Sequence, residues 1–202
     1  MRPQRALIDV SALPTLVFGS RAPSWWGIVC FMAVESTSLA ICAATYFYLS
    51  KNFSAWPPED TLPPSLLVPT ISLIALLASN GLALAMDRAA KALNFGRVRF
   101  LLVVATIAGV ALFGLRLLEF RSLNTSWDSN AYGSIIWTIM GLHSSLLLME
   151  VMETGGLALL YLFGKAQPKH FGHASENAIY WMFSTLSWVP LYAIIFWGPK
   201  LL

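Results

Sequence analysis

Charge is what this sequence has least of. Only 11% of its 202 residues are Asp, Glu, Lys or Arg, whereas 57% are hydrophobic, and the mean hydropathy is +0.66. A water-soluble domain of that length could not hide so many apolar side chains, so lipid must be the solvent for much of the chain. Histidine is scarce too, with three residues. Only His143 lies within an apolar run, which argues against haem ligation by this chain. The two cysteines, Cys30 and Cys42, fall within one helix, about 18 Å apart along its axis, and cannot bridge each other. They read as buried, apolar-like thiols. No Gly-rich phosphate loop, nucleophile elbow or Cys-x-x-Cys motif occurs. The pI of about 9.0 implies no nucleic-acid partner, because no basic patch lies outside the connecting loops. Any catalysis in which the chain takes part belongs to a partner.

What is present is apolar sequence in long runs. Five windows reach the roughly 20 residues that span a bilayer: about 25–49, 66–86, 98–118, 131–163 and 177–197. Polar or Pro-rich stretches separate them: "SKNFSAWPPEDTLPPS", "DRAAKALNFGR", "RSLNTSWDSN" and "GKAQPKHFGHASE". The fourth run is longer than a bilayer needs, so it tilts or projects into water. Residues 1–23 do not read as a signal peptide, since the patch "LPTLVFG" is short, contains Pro14 and precedes no cleavage site. They read as a cytoplasmic, partly interfacial tail. The expected fold is an all-α integral membrane protein, a bundle of five transmembrane helices over 24–202.

Basic residues give the orientation. With a cytoplasmic amino terminus, the inside segments carry Arg2, Arg5, Arg21, Arg88, Lys91, Arg97, Arg99, Lys165 and Lys169. The outside segments carry Lys51, Arg116, Arg121 and Lys200, a clear positive-inside bias that puts the carboxyl terminus outside. Trp25, Trp26, Tyr46, Tyr48, Trp56 and Trp197 fall near helix ends and read as interfacial anchors.

Ionisable residues within the runs are the natural functional candidates, because each must offset its desolvation. They are Glu35 on the first helix and His143, Glu150 and Glu153 on the fourth. Glu119 and Glu176 lie near helix ends, within reach of water or headgroups. His143 and Glu150 share a helix face, with Glu153 one turn further on. Taken alone, the set allows a metal site of Glu35, His143, Glu150 and Glu153 in the style of bundle-core carboxylate metals. It equally allows carboxyls that pack the bundle or meet a neighbouring subunit. The paired Glu-x-x-His motifs of a di-iron bundle are absent, which favours the second reading. For Glu35 the packing role is that of a neutral acid donating one hydrogen bond to a neighbouring helix. His170 and His173, in a cytoplasmic loop, have no third ligand nearby.

Several phrases fall in a telling order. The first helix gives "WWGIVCFMAVESTSLAICAATYFY", followed by "WPPEDTLPPSLLVPTISLIALLASN", then "FGLRLLEF", "YGSIIWTIMGLHSS" and "HFGHASENAIYWMFSTLSWVPLYAIIFWG". Over about residues 24–198 this resembles the cytochrome c oxidase subunit III family of the haem-copper terminal oxidases, in its shorter five-helix bacterial form. The resemblance implies a subunit of the bacterial cytoplasmic (inner) membrane that holds no haem or copper itself. Those cofactors are expected in partner subunits. It also implies packing on subunit I, with subunit II in the same complex, bound phospholipid, and support of proton uptake and stable turnover. Glu35 matches the family's acidic residue in its helix, and Glu119 the acid that closes the next helix but one. Tyr132, Gly133 and Ser134 match the family's YGS, Gly141 and His143 its Gly-Phe-His, and Tyr180, Trp181 and Trp188 the aromatic positions of the last helix.

The departures are also informative. Leu146 replaces the family's second histidine, Glu150 replaces a glycine, Glu153 is an added charge, and Met182 and Thr185 replace a histidine and an aspartate. Glu150 and Glu153 are therefore the unexplained intramembrane acids. An alternative keeps the fold and makes the chain the accessory subunit of a related nitric oxide reductase. A stand-alone transporter built around Glu35 and Glu150 would show paired repeats or matching helix breaks. Neither is visible apart from Pro190 in the last helix.

Overall fold

The computed structural model describes residues 16–164 and 166–201; most of the amino-terminal tail, including Arg2 and Arg5, and Lys165 lie outside the described residues. The described chain is all-helical. A 3-10 turn at Gly19–Arg21 leads into α1 (Pro23–Lys51), then α2 (Leu67–Ala78), α3 (Asn80–Lys91), α4 (Phe95–Arg121), α5 (Ala131–Leu162), α6 (Lys169–Tyr192) and a short α7 (Gly198–Leu201). Helices α2 and α3 read through Ser79 as one span, Leu67–Lys91. Five spans among the described residues are long and apolar enough to cross a membrane. Chain order then places the start of α1 and the α3–α4 and α5–α6 connections at one end of the bundle, called here the amino-terminal end.

Local chemistry sets the boundaries. Pro23 at the first turn of α1 gives up an N–H that would have no helical partner. Asn94 and Asn130 cap α4 and α5, accepting from Arg97 N at 3.0 Å and Gly133 N at 2.8 Å. Pro190 lies inside α6 and supplies no N–H, and the ladder slips to a π turn over Ala193–Trp197.

Burial is uneven. Within its most apolar window α5 is 56% buried, the final span 50%, and α1 only 11%, so α5 and α6 form the axis and α1 lies at the periphery. Helix α5 packs on α1, α4 and α6, and α6 on α1, α2, α3 and α5. Four expectations change as a result. Cys30 is exposed and Cys42 half-buried, because α1 turns most of its circumference outward. Tyr46 and Trp56 are core residues, stacked edge-on at 5.5 Å, with Tyr132 5.2 Å from Trp56. The last span begins at Lys169 rather than near residue 177, which puts His170 and His173 on a helix. Arg116 is not an outside-loop charge; it is 1% exposed.

The far end is tied at Gly133. A Cβ built there would collide with the Ser126 carbonyl oxygen and lie 2.9 Å from Ser129 Oγ. The 122–130 loop therefore folds directly onto the first turn of α5, and Asn130 Nδ2 donates to Thr61 Oγ1 across to the preceding loop. Gly133→Ala is expected to cost about 1–3 kcal/mol through overpacking, read as a lower thermal midpoint in detergent. Gly141→Ala, where an added Cβ meets nothing within 4 Å, should leave that midpoint unmoved.

Candidate functional site

One face of α6 organises the buried polar groups. Asn177, Tyr180, Trp181, Ser184 and Trp188 recur at spacings of three and four, so they form one stripe, and all are buried. Two polar layers form on this stripe at different depths.

The layer nearer the far end centres on Arg116. Its Nη1 donates to Glu119 Oε2 at 2.7 Å, a salt bridge one turn apart on α4 with both side chains sealed from solvent. Nη2 lies 3.4 Å from His143 Nδ1, and the guanidinium carbon sits 3.6 Å from the centre of the Trp188 ring. His143 Nε2 is 2.9 Å from the Ser184 carbonyl oxygen. A carbonyl only accepts, so Nε2 carries the hydrogen, and Nδ1 is the lone pair that receives the Arg116 N–H. One ring is thus consumed by two fixed partners. Trp188 also stacks on His143 at 4.7 Å, and a desolvated cation over an indole face contributes about 2 kcal/mol.

The layer nearer the amino-terminal end is acidic. Tyr180 Oη donates to Glu35 Oε1 at 2.6 Å, so Glu35 accepts a bond from α6, whereas the sequence suggested that it donates one. Asn177 Nδ2 donates to Glu150 Oε1 at 2.8 Å, and Thr154 Oγ1 donates to Asn177 Oδ1 at 3.2 Å. Closer to the end, Glu176 accepts from Ser24 Oγ of α1, and its other oxygen lies 3.5 Å from His173 Nδ1. Ser175 and Lys91 both hold Asp87, at 2.6 and 2.7 Å.

The expected site residues therefore separate. Glu35, Glu150 and Tyr180 meet in one layer; Glu119, His143 and Trp188 meet in the other. His143 and Glu150 share a side of α5 yet face different partners, and Glu153 is exposed on the surface of the same helix. Glu119 and Glu176 are not reached by water: they are 0% and 6% exposed, covered by Arg116 and by α1. Among the described residues no group of three or more His, Cys, Asp or Glu side chains could hold a metal ion. Tyr132 belongs to the far-end aromatic cluster, and Ser134 Oγ donates to the Trp127 carbonyl. Trp181 Nε1 donates to Ser79 Oγ at 2.8 Å, and Thr185 to Asn80 Oδ1 at 2.7 Å. The sequence reading missed Arg116, Asn177 and Thr154. The "RLLE" spacing was a legible signal for Arg116; for the other two only the three-residue step from Asn177 to Tyr180 was available.

No family model matches the chain. It is homologous to curated proteins named cytochrome c oxidase subunit 3. The Synechocystis protein is 25% identical over 182 residues, which covers 85% of this chain and 74% of the relative. A probable cytochrome c oxidase subunit 3 of Mycobacterium tuberculosis is 24% identical over 198 residues, covering 92% and 94%. The Bacillus subtilis protein is 23% identical over 180 residues, covering 84% of each.

The buried ion pair makes a stability prediction. Arg116→Met or Glu119→Gln alone leaves a charge uncompensated in hydrocarbon and should cost about 3–5 kcal/mol. The double variant Arg116→Met with Glu119→Met removes both charges and should recover much of that loss in the thermal midpoint.

Proposed function

We propose that this chain, a homologue of cytochrome c oxidase subunits 3, is the non-redox accessory subunit of a haem-copper terminal oxidase in a bacterial cytoplasmic membrane. The observation that carries the reading is similarity to proteins of that name over 84–92% of the chain. The five apolar spans agree with a membrane subunit. Haem and copper then reside in partner subunits, with subunit I the main contact and subunit II in the same assembly.

Its action is mechanical and electrostatic. The outward side of α1, with Val34 and Ile41 exposed and Ser36 and Ala44 small enough for close approach, suits packing against another membrane helix or lipid. Glu35, held by Tyr180 beneath that surface, is the acid that would support proton uptake by the catalytic subunit.

Purification in mild detergent through a tag on this chain should bring down haem-bearing subunits and oxygen-reducing activity, with haem identity read from the optical spectrum. Recovery of the chain alone and without haem would overturn the assignment, and a complex that reduces nitric oxide but not oxygen would move it to the reductase. In the intact complex Glu35→Ala should lower turnover or proton stoichiometry, or speed inactivation during turnover. No change in any of the three removes the proton-uptake role.

A further inference from the structure

Glu150 is the buried acid that neither the fold nor the proposed function explains. It lies twelve residues before the end of α5, and Glu35 lies twelve residues after the start of α1. Both carboxyls are therefore about 18 Å from the amino-terminal end of the bundle. Their hydrogen-bond donors, Asn177 and Tyr180, stand one turn apart on the same face of α6. Two acids from two different helices thus converge on a single turn of a third.

Each acid spends only one oxygen on α6. Oε2 of Glu35 and Oε2 of Glu150 are both buried, with no hydrogen-bond partner among the described residues. The residues themselves are 5% and 0% exposed. Among the described residues no basic side chain bonds either acid, and the buried Arg116 is committed to Glu119 in the other layer. Two carboxylates received on one turn of α6 without a counter-charge in hydrocarbon are prohibitively costly. A carboxyl that keeps a hydrogen on its second oxygen gains an O–H donor, and the second acid received on the same turn of α6 offers an acceptor. A hydrogen on each acid removes both charges and lets the two orphan oxygens bond each other, directly or through a water.

Ionisable groups nearer the surface stand on both α5 and α6. Glu153 is one turn beyond Glu150 on α5 and is exposed. On α6, Glu176 adjoins Asn177 and contacts His173, whose side chain is 46% exposed. Asp87, the remaining acid at this end among the described residues, is held by Lys91 and Ser175.

We propose that Glu35 and Glu150 form one proton-exchanging carboxyl pair at the junction of α1, α5 and α6, loaded from the amino-terminal end of the bundle through Glu153 and the His173–Glu176 pair. The proposal extends the reading of Glu35 as the proton-uptake acid by giving it a partner and a supply. In each step one O–H bond (N–H where His173 is the carrier) breaks as another forms; one proton enters from water, one leaves, and no electron moves. Asn177 and Tyr180 are positioning residues.

Infrared spectroscopy of the full chain, purified with its accompanying subunits, tests this through the C=O stretch of protonated carboxyls and its shift on transfer from H2O to D2O. Glu35→Gln and Glu150→Gln should each delete one contribution and shift the other. Glu153→Gln should keep both and slow their deuteration severalfold. The proposal is overturned if no protonated carboxyl is found, or if Glu150→Gln leaves the Glu35 band unmoved and its deuteration rate unchanged. Should Glu150→Gln fail to accumulate, Asn177→Val removes the bond to Glu150 Oε1 and must shift the Glu150 and Glu35 bands together; an unmoved Glu35 band has the same negative meaning. Oxygen consumption measured on the same samples separates the two claims. Coupled bands with unaltered turnover in Glu35→Ala would sink the uptake role and leave the pair standing, whereas uncoupled bands with impaired turnover would do the reverse.

Discussion

In hydrocarbon a buried polar side chain has no water to fall back on, so each must find its partner within the protein. Here most of those partners stand on one stripe of α6. Tyr180 serves Glu35 of α1, Asn177 serves Glu150 of α5, the Ser184 carbonyl serves His143 of α5, and the Trp188 ring covers Arg116 of α4. The apolar packing of α5 would be satisfied by many neighbours. The polar stripe accepts only one register, because a slip of a single residue would turn all four contacts away together.

The two layers on that stripe differ in kind. Around Arg116 every strong interaction is fixed: a short ion pair, an imidazole with both nitrogens engaged, and a cation against an indole face. Such a cluster defines geometry and holds no freely exchangeable proton. Glu119 also keeps one oxygen unpaired, but its charge is matched by Arg116. Among the described residues Glu35 and Glu150 have no ion-pair partner and one unspent oxygen each, so their layer retains chemical freedom. Rigidity in the first layer keeps the second in place without occupying its oxygens.

The five spans were legible in the sequence because run length and polar interruptions need no tertiary information. The order of WPP, "LRLLEF", YGS with GLH, and "YW" carried the resemblance to cytochrome c oxidase subunit III, and Glu35, Glu119 and His143 are all buried. Sidedness was not legible. Helix α1 is apolar all round, so nothing in its pattern showed that Cys30 faces outward and Tyr46 inward. His143 and Glu150 were grouped because seven residues return to one face; the same seven residues separate them by about 10 Å along the axis, enough to place them in different layers. The start of α6 was obscured because "KHFGHASE" is polar enough for a loop, although Ser175 and Glu176 are in fact buried against α3 and α1. Arg116 was misplaced for the opposite reason: near a helix end a charge reads as solvated until its partners are known.

The Arg116–Glu119 pair lies within one helix, three residues apart, and that bears on how the chain is made. The two charges can cancel as soon as α4 coils, before any other span is present, so this segment can partition into lipid as a neutral unit. The two acids of the other layer have no such provision. Glu35 is synthesised in the first span and Glu150 in the fourth, yet the side chains that receive them arrive only with the fifth. A chain cut short before α6 would leave two carboxyls in the bilayer without the donors that receive them. The last helix therefore completes the polar core: until it folds against α1 and α5, neither acid has its donor.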